Sequence, residues 1–435
     1  MIRFLAIIFT GILCSMYIFP FTFTFFPVGN TKIYMAVLGG LLFIVNSIRN
    51  MNSVTNRSMI YISLAALAVS IVGIISVFYN GTNDYAYAQY IISMWVWAGA
   101  AYFVVQIMKK IHGNVTVELI GKYIIGVCVA QCCFALMNEF MPAFKNIVDA
   151  YVEQQTALLN KVERMYGIGA SLDTAGSRFA CALIMLAYIM TKYAKNGGKN
   201  IIILFCVLIF VFLTVVGNMV ARTTIAGVAI AFGYFLYTLK DGFNPYQRKI
   251  LYSFVSIAAL AVPVMIYLYA TSPEVNNLIS FAFESFFNLA EEGKLETHST
   301  NELLAMWTYI PENLKTWIIG DGYFLNPYAY DPYYTGIHKW AYYMGTDVGY
   351  LRFIYYFGII GLLTFFYFFV CCTRECSKKY SSDKVLFVLL LIMNMVLWAK
   401  VATDLFFIFA LFLLADYVDD QSEESSHQPK PAITQ

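Results

Sequence analysis

The chain has 435 residues, 60% of them apolar and only 12% charged, with a formal net charge of +2. Soluble globular proteins carry roughly 45–50% apolar and about 25% charged residues, so water is excluded as the main solvent and a bilayer is expected. The net charge decides nothing by itself, and no basic block points to nucleic acid, so no nucleic-acid partner is expected. The nine cysteines lie in or beside apolar runs, which argues against a disulfide framework or a metal site and reads as small apolar filler.

A membrane-crossing helix needs about 20 mostly apolar residues. In chain order, such runs fall near 4–24, 33–48, 59–79, 88–108, 118–139, 178–194, 200–218, 223–239, 250–270, 348–372, 384–399 and 402–418. The expected fold class is therefore all-α, a polytopic integral membrane protein of about 12 transmembrane helices, within roughly 10–13 because the second run and the last two are short. The first run starts after Arg3 and continues through Phe-Pro-Phe without a small-x-small cleavage site, which predicts an uncleaved first span. Residues 1–418 read as a single transmembrane domain, and the polar stretch 419–435 as a disordered cytoplasmic tail.

Lysine and arginine fix the expected orientation. Inner segments carry Arg3; Arg49 and Arg57; Lys109, Lys110 and Lys122; Lys192, Lys195 and Lys199; Lys240, Arg248 and Lys249; Arg374, Lys378, Lys379 and Lys384; and Lys430, whereas the loop 80–87 has none. This alternation predicts that both termini are cytoplasmic. Two long segments, 140–177 and 271–347, are then outside. No internal repeat is visible, which weakens transporter folds built on inverted repeats.

Unstructured connectors as long as 271–347 are usually functional. Here Asn277–Leu289 suits an interfacial helix, Ser299-Thr300-Asn301-Glu302 fits a capping box opening a helix through Trp307, Pro311 starts or breaks the next turn, and Ile319–Gly322 reads as a tight turn. Residues 326–343 hold Tyr328, Tyr330, Tyr333, Tyr334, Trp340, Tyr342 and Tyr343. Such a cluster is either an interfacial aromatic belt or a platform on which sugar faces stack and phenol hydroxyls bond to sugar hydroxyls. Asp331, His338 and Asp347 accompany it.

Charges at membrane depth cost roughly 2.5–3.5 kcal/mol at the centre and mark functional sites by default. Arg178, Arg222, Arg352 and Lys400 all fall at outer span ends, and Asp404 is one turn from Lys400, so these two can pair. Snorkelling to headgroups explains any one cation. Four at one depth, without a matching set of carboxylates at the span ends, are better explained as a site for an anion such as a lipid diphosphate.

The order of motifs resembles a known family. Val220-Ala-Arg-Thr-Thr-Ile-Ala-Gly, then Met306-Trp307 and Trp317-Ile-Ile-Gly-Asp-Gly-Tyr323, then Thr346-Asp-Val-Gly-Tyr-Leu-Arg-Phe-Ile-Tyr-Tyr-Phe-Gly-Ile-Ile-Gly-Leu362 are similar to the O-antigen polymerase and ligase superfamily, over roughly residues 175–365. The resemblance is to Wzy-type polysaccharide polymerases. It implies a GT-C-like glycosyltransferase in the bacterial inner membrane. The donor would be a glycan on undecaprenyl diphosphate and the acceptor a lipid-linked repeat unit, for O-antigen lipopolysaccharide, capsule or exopolysaccharide. Membrane lipids, a chain-length regulator and a flippase of the same pathway are the implied partners.

In the family, arginines at outer span ends bind the diphosphate. Arg178 and Arg222 match, with Arg352 and Lys400 as further candidates. Ligases usually carry His where this chain has Asp347, a departure that favours a polymerase. The acceptor hydroxyl must lose a proton, for which Asp347 is the first candidate and His338 the second. Tyr323, Tyr334, Trp340 and Tyr350 are the candidate glycan contacts. The leaving diphosphate needs fixed positive charge, which arginine supplies. Metal-dependent GT-C enzymes usually carry paired carboxylates in the first outer loop, where Asn80–Asp84 offers one acid, so neither metal nor cofactor is expected. The alternatives are an O-antigen ligase, and a lipid-linked oligosaccharide flippase or sugar transporter. A transporter should carry charge through a central cavity and have short outer loops.

Overall fold

The computed structural model describes residues 2–49, 54–154, 159, 164–293, 296–327 and 342–415. It is a helical bundle whose short strands make up a single small sheet. In chain order the first helices are α1 (Ile2–Ile18), α2 (Thr31–Arg49), α3 (Val54–Asn80), α4 (Tyr90–His112), α5 (Val117–Phe140) and α6 (Pro142–Tyr151). Then come α7 (Leu172–Lys195), α8 (Asn200–Val220), α9 (Thr224–Thr238) and α10 (Pro245–Thr271). The long loop holds α11 (Pro273–Ala282), α12 (Glu284–Glu292), α13 (His298–Met306) and α14 (Leu314–Ile318), before α15 (Gly349–Lys379), α16 (Lys384–Trp398) and α17 (Phe406–Leu414).

Among the described residues, nine helices are long and apolar enough to cross a membrane: α2, α3, α4, α5, α7, α8, α10, α15 and the stretch Ser381–Trp398. The apolar helices α1 and α9 are shorter, and α17 has only nine residues. The chain is thus a multi-pass membrane protein, and every expected span coincides with a helix. Two fall well short of the expected extent. The first expected span, 4–24, stops at Ile18 because Pro20 cannot continue a helix and pushes Phe19 out of the α region. The last, 402–418, is helical only from Phe406. Residues 416–435, including the expected tail, lie outside the described residues.

After α1 the chain turns through β1 (Thr22–Phe23) and β2 (Phe26–Asn30), which join β3 (Val152–Glu153) in an antiparallel sheet of order β2-β1-β3. These strands are too short to leave a period in the sequence. Their sheet ties the α1–α2 connection to the segment after α6, helped by Thr24 Oγ1 donating to the Ala150 carbonyl at 2.7 Å.

Contacts sort the connections into two ends. At one end meet, among the described residues, 19–30, 80–89, 141–154, 164–171, 221–223, 271–293, 296–327, 342–348 and 399–405. There Asn80 donates to the Gly320 carbonyl at 3.1 Å, and Asp84 accepts from the backbone of Phe324 and Leu325 at 2.8 and 2.9 Å. At the other end Lys192 pairs with Asp383 at 2.7 Å, Ser58 donates to Glu375 at 3.0 Å, and Lys378 pairs with Glu375 at 2.6 Å.

The centre of the bundle is α7 and α17. In the apolar window of α7, 94% of the residues are buried, against 11% in α10 and 17% in α2, so α10 and α2 present their apolar faces to lipid. Every residue of α17 is buried. Its backbone carbonyls accept from side chains of neighbouring helices: Tyr17 donates to the Phe407 carbonyl at 2.6 Å and Lys379 to that of Leu413 at 2.9 Å. The non-helical link 399–405 is tolerated inside the bundle because its polar groups have partners. Asn394 Oδ1 accepts from Leu405 N at 2.8 Å, Trp398 Nε1 donates to the Thr403 carbonyl at 2.8 Å, and Asp404 accepts from Phe406 N at 3.0 Å.

Candidate functional site

The Gly320-Asp321-Gly322 turn builds one wall of the site. α15 breaks at Phe357–Gly358, where Gly358 has φ 68° and ψ −173°, a conformation open essentially to glycine alone. The break frees the carbonyls of Tyr355 and Tyr356, and the turn takes them: Asp321 N donates to Tyr355 at 2.6 Å and Gly322 N to Tyr356 at 3.0 Å. A Cβ on Gly358 would stand 2.1 Å from the Ile318 carbonyl oxygen. Two motifs nearly forty positions apart are therefore one joint. Asp321 completes it by accepting from Lys315 at 2.7 Å and Thr316 at 2.6 Å.

The first section of α15, leading to that break, begins beside a polar depression of about 110 Å3. It is lined by Asp173, Glu302, Tyr342, Asp347 and Lys400, with Met306 among the apolar walls. Lys400, in the turn after α16, donates to Asp173 at 2.6 Å and to Thr223 at 2.9 Å, and Thr223 also donates to Asp173. This knot fastens the start of α7 and the α8–α9 corner to the end of α16.

Asp347 opens onto the depression, yet the surrounding protein mass is enough to raise its pKa above the ordinary carboxylate value. Desolvation is the main cause; Asp173 and Glu302 push the same way, while Arg352 and Lys400 oppose.

Arg352 is 3% exposed. Its guanidinium is held between the rings of Phe324 and Tyr342, at 3.7 and 3.3 Å from their centroids. It donates to the Phe324 carbonyl at 3.4 Å, and its buried Nε has no hydrogen-bond partner. Arg222 donates to the Phe281 carbonyl at 3.1 Å and forms an ion pair with Glu284. Its guanidinium stands 4.1 Å from the Phe281 ring centroid, and that of Arg164 stands 4.3 Å from the same centroid. Burial and Arg222 lower the Arg164 pKa, with Asp173 and Glu284 opposing.

The structure thus brings Asp347 and Lys400 into one depression, with Arg352 near enough to Asp347 to act on its charge. Arg222 belongs to a neighbouring cluster that Arg164 links electrostatically to Asp173. Arg178 is placed differently. It is 5% exposed, donates to the Ile18 carbonyl and to that of Thr174 (2.6 Å), and lies against the rings of Phe19 and Phe407. It caps the end of α1 and is not among the residues lining the depression.

Lys400 and Asp404 do not pair: Lys400 turns to Asp173, and Asp404 caps the start of α17. The expected lack of matching carboxylates is also corrected, since Asp173 and Glu284 neutralise Lys400 and Arg222. Tyr350 donates to the Met395 carbonyl at 2.9 Å and packs on Trp398. Tyr323 packs on Tyr343, 5.3 Å between centroids. His338, Tyr334 and Trp340 lie outside the described residues.

Sequence reasoning missed Asp173, Arg164 and Glu302. The available signal was only that charge is scarce in this chain. Among the described residues, no group of three or more His, Cys, Asp or Glu side chains is positioned to hold a metal ion. Comparison with protein-family models, curated proteins and solved structures returns no match.

Proposed function

We propose that the protein is a polysaccharide polymerase of the bacterial inner membrane. It transfers a growing glycan from undecaprenyl diphosphate onto a lipid-linked repeat unit, and the end that carries the depression faces the periplasm. The observation that supports this most is Asp347: a carboxyl with a raised pKa, beside Lys400 and Arg352, in a polar depression at the end of the bundle where the long loop folds. A raised carboxylate is better matched to taking a proton from a sugar hydroxyl.

In this reading Asp347 accepts the acceptor's hydroxyl proton as that oxygen bonds to the donor's anomeric carbon. The bond from that carbon to the diphosphate oxygen breaks, and undecaprenyl diphosphate leaves with the electron pair. Arg352, with its unpartnered Nε, and the Arg164–Arg222 pair supply fixed positive charge along the leaving group's path. Asp173 holds Lys400 in place.

One observation favours a lipid-linked oligosaccharide transporter. The α16–α17 break resembles the interrupted helices of transporters, and Asp404 there lies within electrostatic reach of Lys32 and Arg178. The two readings separate in a deletion strain whose surface glycan is run on a gel. A ladder collapsing to single repeat units on the lipid core supports the polymerase. Repeat units trapped on the inner leaflet mean a flippase, and long chains stranded on the carrier mean a ligase. Complementation with Asp347→Asn, at wild-type membrane abundance, should leave the ladder collapsed; near-normal chains would remove Asp347 as the base.

A further inference from the structure

Between α1 and α5 the bundle leaves a groove of about 710 Å3 on its lipid-facing side, lined mostly by apolar side chains. Gly11 and Gly126 line it from the two helices, and a Cβ on either would meet nothing within 4 Å. Along α5 it extends from Leu119 to Phe134, a rise of ~22 Å, enough to lay one lipid chain lengthwise.

The groove's two ends differ. At one, Gln131 is fully engaged, donating to Ser15 and to the Ile168 carbonyl at 3.0 Å and accepting from Ile168 N at 2.8 Å. The nearby Arg178 is committed to the carbonyls of Ile18 and Thr174. At the other end stand Lys122 and His112, whose Nε2 is 2.8 Å from the Tyr123 hydroxyl and whose other ring nitrogen remains for a headgroup, with Arg3 close enough to act on the His112 charge. Glu118, one turn before Lys122, is drawn to Lys192 at 3.7 Å. Lys122 is exposed and has no ion pair among the described residues.

We infer that this groove holds an anionic phospholipid, its chain along Gly11 and Gly126 and its phosphate at Lys122 and His112. Basic pockets between membrane helices at a bilayer surface select anionic headgroups in this way. Among the described residues that line the groove, the Gln131 end offers an isoprenoid diphosphate no cation, so the occupant is a lipid of the leaflet that borders Lys122. The inference does not depend on the proposed glycosyl transfer.

The test is native mass spectrometry of the full chain in detergent, with phosphatidylglycerol or phosphatidylcholine added in turn. Wild type should retain one phosphatidylglycerol under activation that strips phosphatidylcholine. Lys122→Glu should lower that preference about fivefold or more, and Gly126→Leu should reduce retention of both lipids by filling the groove. Lys122→Glu changes an exposed side chain, so it remains informative if Gly126→Leu does not fold. Equal retention of the two lipids, unchanged by Lys122→Glu, would mean ordinary bilayer contact and overturn the proposal. Displacement of phosphatidylglycerol by added undecaprenyl phosphate would overturn it in favour of an isoprenoid site.

Discussion

Asp347 titrates between opposing influences: burial, Asp173 and Glu302 hold its proton on, while Arg352 and Lys400 draw it off. A base works deprotonated, so polymerisation should fall as pH drops through the raised pKa, with an acid limb above the ordinary carboxylate value of about 3.9. Removing a cation that favours the carboxylate raises that pKa further. Lys400→Met should therefore move the acid limb to higher pH in a membrane assay; a limb that stays put would disconnect Lys400 from Asp347. Arg222→Ala should abolish chain lengthening while the protein stays in the membrane. Its companion Glu284→Gln separates two roles for Arg222. If the guanidinium only ties down the loop at Phe281, both variants should lose activity alike; if it meets the diphosphate, Glu284→Gln should keep most chain lengthening on a glycan gel. Asp347 and Lys400 were legible in the sequence because charge is rare here. Asp173 was not, because its partner lies 227 positions away. Arg178 looked like a ligand arginine for the same reason: its bond to Ile18 joins residues 160 apart, and no local pattern announces it.

Elements were read from hydrophobic runs, and those runs say where helices are more surely than where they stop or bend. Proline marks a stop, as at Pro20. The α13 cap lies two residues before the expected one, Ser299: Thr297 accepts from Thr300 N at 3.0 Å, because Thr297-His-Ser-Thr offers the same hydroxyl cap one half-turn earlier. The α15 break was invisible, since glycines are common in membrane helices and only the docking of the Gly320–Gly322 turn shows which one bends. Gly358→Ala should cost about 1–3 kcal/mol from backbone strain alone, with the clash against Ile318 added. Thermal unfolding of the purified variant should show a lowered midpoint and an aggregated fraction by size exclusion. An unchanged midpoint would mean the joint relaxes freely.

For the whole molecule, the charge alternation and the contacts agree on which connections share an end. Topology reporters fused at Gly242 and Ser381 should report one side of the membrane, and those at Asn83 and Gly293 the other; one reporter on the wrong side would break the alternation. What the sequence concealed is that the most apolar helix is also the most enclosed. Nine residues of α17 rise ~13 Å, well short of the ~30 Å hydrocarbon core, so insertion machinery has too little to recognise as a span. The slot that α17 fills lies among α4, α15 and α3, all synthesised before it. Those helices must therefore wait in the membrane with their central surfaces uncovered until Phe406–Leu414 arrives. Phe406–Leu414 then enters as a plug from within, and a chain cut after Trp398 would leave an inserted bundle without a centre.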